Sequence, residues 1–226
     1  MTISNIQAVL FDLDGTLVNS ESLSERALAE LLPTWGVDTT GLDFVQFHGV
    51  TWKRIEARLI ELFPHLRDRD VADTVADRFQ ELFKTAPPTL IEGAREAVVA
   101  ASQQFPGAVT IVTGSDRRAV EHFLDRTSLH EHCSGYTSSE MYGSSKPDPE
   151  CYLMAAERLR VSPDRCLVFE DSEPGLRAAS SAGMPRVAIT DGHPARQALA
   201  AQLADMAIAD YRELPDGFFS SVAQRD

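Results

Sequence analysis

The chain has 226 residues, 43% hydrophobic and 24% charged, the balance of a folded globular protein and not of a disordered one. Its formal net charge of −13 repels phosphate backbones, which argues against nucleic acid as a partner, and any anionic substrate needs local positive charge from lysine, arginine or a metal ion. No apolar run approaches the roughly 20 residues of a membrane span, Met1–Gln7 lacks a leader pattern, and Cys133, Cys151 and Cys166 match no C-x-x-C spacing. These observations lead us to expect a cytoplasmic protein with reduced thiols and no membrane contact.

In chain order, apolar runs bounded by turn residues predict strands at Ala8–Phe11, Val109–Val112, Gly135–Ser138, Cys166–Phe169, Val187–Ile189 and Met206–Ile208. Helical patterns, such as Glu150–Leu159 and Pro174–Ala182, lie between most of them. That alternation predicts a parallel sheet covered by helices on both faces. Between Glu21 and Phe83 no strand pattern is present. Leu23, Ala27, Leu28 and Leu31 recur at helical spacing, as do Ile55, Leu59, Leu62 and Phe63, and then Val71, Val75, Phe79, Leu82 and Phe83. Ala86-Pro87-Pro88 reads as a stiff return. The expected organisation is an α/β core of 1–18 and 88–226 with a helical insertion, 19–87, serving as a lid at the strand ends where open α/β sheets bind ligands.

Four motifs carry chemistry. Ala8-Val9-Leu10-Phe11 runs into Asp12-Leu13-Asp14-Gly15-Thr16. Two carboxylates two residues apart repel unless a cation or a shared proton joins them, and Gly15 permits a sharp turn. A plain D-G turn would also fit this pattern. Thr110-Ile111-Val112 ends in Thr113-Gly114-Ser115, whose hydroxyl and N–H groups suit a phosphoryl oxygen or an ordinary helix cap. Lys146-Pro147-Asp148-Pro149 offers a lysine just before a helix, with Pro149 at an early helical position. Cys166–Phe169 runs into Glu170-Asp171-Ser172, then Gly175, where a cap is again an alternative. In a parallel sheet the carboxyl ends of the strands share one edge, so these groups can converge.

Taken together, the D-x-D-G-T motif, the later Thr, Lys-Pro and Glu-Asp-Ser-x-x-Gly resemble the haloacid dehalogenase superfamily, in the subgroup with a helical cap inserted after the first motif. The resemblance spans about Ile6 to Ile189 and is nearest in pattern to sugar-phosphate phosphatases and β-phosphoglucomutases. It implies a Rossmann-like doubly wound core and Mg²⁺ as cofactor. It implies Asp12 as nucleophile forming an aspartyl-phosphate, and Asp14 as general acid and then base. Thr113 and Lys146, with Gly114 and Ser115, are implied to hold the phosphoryl group. Asp171, assisted by Glu170, is implied to join Asp12 and the Asp14 carbonyl around the metal.

The implied function is phosphatase action on a small phosphorylated metabolite, by a monomer or weak homodimer. The alternatives are a phosphomutase and an inactive phosphate-binding module. His48, Trp52 and Arg54 are candidates for substrate contact, although Trp52 also suits packing and Arg54, like Lys53, a solvated face. Asn19 stands where many relatives carry Asp. Ser24 stands at the position of a cap-side histidine in the mutases, and Thr16 where they carry a smaller apolar residue. Both of the latter differences favour hydrolysis, with the Thr16 hydroxyl expected to favour closing on water. His130, His132 and Cys133 lie close together but without a usual zinc spacing.

Overall fold

The computed structural model describes residues 3–47, 52–85 and 88–223. Its contacts divide the chain into two units, Met1–Val18 with Leu90–Asp226, and Asn19–Thr89.

In the first unit, β1 (Ala8–Phe11), β2 (Val109–Val112), β3 (Tyr136–Thr137), β4 (Cys166–Glu170), β5 (Arg186–Ile189) and β6 (Met206–Ile208) form a six-stranded sheet in the order β3-β2-β1-β4-β5-β6. Every pairing is parallel, with Leu10 opposite Thr110 on one side and Val168 on the other. The chain winds outward from β1 to β3, then returns to β4 on the other flank of β1. This is the doubly wound order, and its reversal point lies beside β1. The expected sheet is therefore observed, with β4 and β5 each one residue longer than expected, at Glu170 and Arg186, and β3 shorter. The Gly135–Ser138 strand is reduced to Tyr136–Thr137, because Gly135 has a φ of 138° and Ser138 leads into a short 3₁₀ turn, Ser139–Met141.

Alternate residues of each central strand face opposite sides. Val9, Phe11, Ile111, Leu167 and Phe169 pack with apolar residues of α4 (Ala94–Gln104), α5 (Arg117–Thr127) and α9 (Phe218–Ala223). Ala8, Leu10, Val112, Cys166 and Val168 pack against α6 (Glu150–Leu159) and α7 (Glu173–Ser181). Burial on both faces explains why β1, β2 and β4 read as unbroken apolar runs. The last helix of the winding, α8 (Pro194–Leu203), contributes Ala200 to a smaller cluster with Leu176 and Ala188.

The second unit is helical over its described residues: α1 (Glu21–Leu31), α2 (Trp52–Leu62) and α3 (Val71–Thr85), with short 3₁₀ turns. Leu23, Ala27 and Leu28 meet Ile55, Leu59, Val71, Val75 and Leu82 in a core of their own. Arg78 ties α3 to α1 through Glu30 at 2.5 Å. Leu62, expected on the apolar stripe, is instead 37% exposed because it sits at the end of α2.

Candidate active site at the carboxyl edge of the sheet

Asp12 follows β1 directly, and its N–H still donates to the Phe169 carbonyl at 3.0 Å, which continues the pairing with β4. Lys146, from the loop before α6, reaches the same place. Its Nζ donates to Asp12 Oδ1 at 2.6 Å, to Glu170 Oε1 at 2.7 Å and to the Val112 carbonyl at 3.3 Å. It also lies 4.9 Å from the centre of the Tyr152 ring. Burial alone would lower the lysine's pKa, but Asp12 and Glu170 hold it well above the usual value. Burial pushes the Asp12 carboxyl up to about 8, against the pull of Lys146 and with the push of Glu170.

Glu170 ends β4 and folds back over the start of α7. Its Oε2 accepts from the N–H groups of Asp171 and Ser172, both at 2.8 Å, and from Ser172 Oγ at 3.0 Å. A Cβ on Gly175 would fall 1.6 Å from Glu170 Oε1, which explains the glycine in this motif. Asp171 Oδ1 accepts from Thr16 Oγ1 at 3.2 Å, and Oδ2 lies 3.5 Å from Arg196 Nη1. Gly15 has a φ of 80°, and a Cβ there would stand 2.2 Å from Asp171 Oδ2. The two motif glycines thus make room for the two acidic side chains of β4's end.

Asp12, Glu170 and Asp171 each present a carboxylate oxygen, all within 4.8 Å of one another and all buried. An all-oxygen, all-carboxylate donor set suits a hard divalent ion such as Mg²⁺. Three buried carboxylate oxygens this close together carry negative charge that such an ion would neutralise, so these residues fit the implied metal. The Asp14 side chain does not join them. Its Oδ2 accepts a 2.5 Å hydrogen bond from Ser115 Oγ.

Thr113 is buried at the end of β2. Its Oγ1 accepts from the Ser115 N–H at 2.9 Å, and its N–H donates to the Thr137 carbonyl at 2.9 Å. A Cβ added to Gly114 would meet nothing within 4 Å. The first unit therefore gathers Asp12, Asp14, Thr113, Gly114, Ser115, Lys146, Glu170 and Asp171 at one sheet edge. In the second unit, Trp52 packs on Phe79 with ring centres 5.3 Å apart, which accounts for the ring by packing, and Arg54 is exposed. His48 lies outside the described residues.

Sequence reasoning overlooked two groups here. Arg196 and Tyr211 belong to no motif. Thr16, expected to bear on water, donates to Asp171. Tyr211 has its hydroxyl buried without a hydrogen-bond partner, and burial together with Asp12, Asp171 and Glu170 pushes that hydroxyl well up. The His-Glu-His-Cys stretch forms no metal group among the described residues. His130 pairs with Asp125 at 2.8 Å and His132 with Ser102 at 2.9 Å. Burial raises the Cys133, Cys151 and Cys166 thiols to about 12, 11 and 12, which makes them poor nucleophiles.

The sheet order and the charged groups at its carboxyl edge define a doubly wound α/β enzyme. A sequence model of haloacid dehalogenase-like hydrolases matches residues 6–183, and the chain belongs to that family. It is similar to the fructose-1-phosphate phosphatase YqaB of Escherichia coli K12, 28% identical over 79% of this chain and 94% of that one. It is also similar to a β-phosphoglucomutase of Mycobacterium bovis, 30% identical over 92% and 91%. Among solved structures, a haloacid dehalogenase family hydrolase of Deinococcus radiodurans R1 with bound phosphate and sodium superposes with a TM-score of 0.78. It is 28% identical and covers 97% of this chain and 98% of that one.

Proposed function

We propose that this protein is a Mg²⁺-dependent phosphatase of a small phosphorylated metabolite, a sugar phosphate above all. The observation that carries this reading is the buried Lys146 ammonium between Asp12 and Glu170. It places a fixed positive charge against a carboxylate at the mouth of a parallel sheet, where a phosphoryl group needs charge and Asp12 needs to be in line. Bound Mg²⁺ would supply charge neutralisation to Asp12, Asp171 and the phosphoryl oxygens.

Asp12 attacks phosphorus and takes the phosphoryl group as an aspartyl-phosphate, while Lys146 and the Thr113–Ser115 turn hold the equatorial oxygens. Asp14 gives its proton to the leaving oxygen and then takes one from the attacking water. Ser115 Oγ, bonded to Asp14 Oδ2, fixes the orientation of that carboxyl. Asn19–Thr89 serves as a cap that selects substrate, with Arg54 as an anion contact. The three free cysteines support a reducing, cytoplasmic setting.

The test is phosphate release from hexose phosphates, followed by phosphorus NMR with Mg²⁺ present. Inorganic phosphate should accumulate, and Asp12→Asn should lower kcat by on the order of 10⁴ or more with the fold intact. Near-native turnover by that variant would rule out the nucleophile. The likeness to a β-phosphoglucomutase supports a second reading. In that case a hexose 1-phosphate, offered with a trace of the bisphosphate, would become the 6-phosphate without phosphate release.

A further inference from the structure

Arg196 lies outside every motif, yet it faces the acidic site. After β5 the chain turns through Asp191 and Gly192, which hold φ values of 49° and 67°, and His193 caps the next helix by accepting from the Ala195 N–H. This tight turn starts α8 close to the end of β4, and the third residue of α8 is Arg196. Its side chain is 14% exposed, low for an arginine on a surface helix, and Nη1 lies 3.5 Å from Oδ2 of the nearly buried Asp171. Lys146 serves Asp12 and Glu170, so the three carboxylates are attended by two cations from different elements.

We propose that Arg196 is a built-in counter-ion to Asp171 that competes with the divalent cation and so sets the affinity of the site. The inference rests on the metal-dependent reading given above. A guanidinium keeps its proton at any working pH, so its charge cannot be shed when the ion arrives. A divalent ion at Asp171 Oδ2 must either share that oxygen with Arg196, which brings two positive groups together at low dielectric, or displace the arginine and forfeit its ion pair. In the metal-free protein the same arginine offsets a carboxylate that burial would otherwise penalise. Arg196 is thus a positioning residue: it touches Asp171 and not the reacting atoms.

The test is Mg²⁺ binding by isothermal titration calorimetry to the full chain, alongside the melting temperature in chelator. Arg196→Gln should bind Mg²⁺ about tenfold more tightly, a change of about 1.4 kcal/mol, and melt lower than the wild type without metal. Arg196→Lys, which keeps the charge, should stay near the wild type in both. Unchanged or weaker Mg²⁺ binding by Arg196→Gln, or a higher metal-free melting temperature, overturns the inference. Asp171→Asn separates the two levels of failure. If the wild type binds Mg²⁺ and Asp171→Asn does not, an unaltered Arg196→Gln affinity defeats the counter-ion role alone. If the wild type binds no Mg²⁺, or Asp171→Asn binds it equally well, the metal reading falls and takes this inference with it.

Discussion

Gly175 illustrates how one missing atom shapes the site. A glycine-to-alanine change within a helix ordinarily gains about 1 kcal/mol, because alanine is the better helix former. Here the added Cβ would fall 1.6 Å from Glu170 Oε1, inside the hydrogen-bonded turn that the carboxylate makes with Asp171 and Ser172. The expected outcome of Gly175→Ala is therefore a loss of about 1–3 kcal/mol, read from urea unfolding, together with a loss of activity as Glu170 is driven off Lys146. A stabilised variant would mean that the turn relaxes freely. The core site residues that sequence reasoning found belong to short, ordered motifs at strand ends or, for Lys146, in the loop just before a helix. Arg196 stayed hidden because a cation on an amphipathic helix looks like any solvated one. What distinguishes it is the Asp191-Gly192 turn that aims α8, a tertiary property.

Among the elements, the strands were legible because a sheet buried on both faces needs continuous apolar runs, and β1, β2 and β4 have them. The edge strand was less so: β3 keeps only Tyr136 and Thr137, and an apolar count cannot see where Gly135 and Ser138 bend away. Trp52 was ambiguous for the opposite reason, since a tryptophan near a site and one against Phe79 read alike in sequence. Helix starts offer a clean test. Asp116 caps α5, its Oδ1 accepting from the Ala119 N–H at 2.8 Å. Asp116→Ala should cost about 1 kcal/mol in chemical denaturation. A change within experimental error would show that water replaces the cap.

Across the whole molecule, the buried acidic cluster should make stability depend on pH and, if it holds the proposed ion, on metal as well. The folded chain keeps a proton on Asp12 up to about 8, whereas an unfolded aspartate gives it up near 3.8. Between those values the folded state binds more protons than the unfolded one, so this group makes metal-free stability fall as pH rises through that window and then level off. A divalent ion favours the ionised carboxylate. Added Mg²⁺ should therefore raise the melting temperature more at pH 9 than at pH 6, and Asp12→Asn should largely remove that difference. Equal shifts at both pH values in the wild type would contradict the assignment.

The separation of the site residues along the chain also sets an order in time. Lys146 and Asp12 stand 134 residues apart, and Thr16 and Asp171 stand 155 apart, so the site cannot exist until the parallel sheet has closed both of its halves. Long loops closed before their contacts form make such pairings slow. The helical unit, Asn19–Thr89, draws its core from neighbours within one stretch of chain and has no such wait. Both tryptophans of the protein, Trp35 and Trp52, belong to that unit. Intrinsic fluorescence is thus a clock for the insertion, and catalysis is a clock for the sheet. After dilution from denaturant, fluorescence should recover ahead of enzymatic turnover. Simultaneous recovery would mean that the two units fold as one.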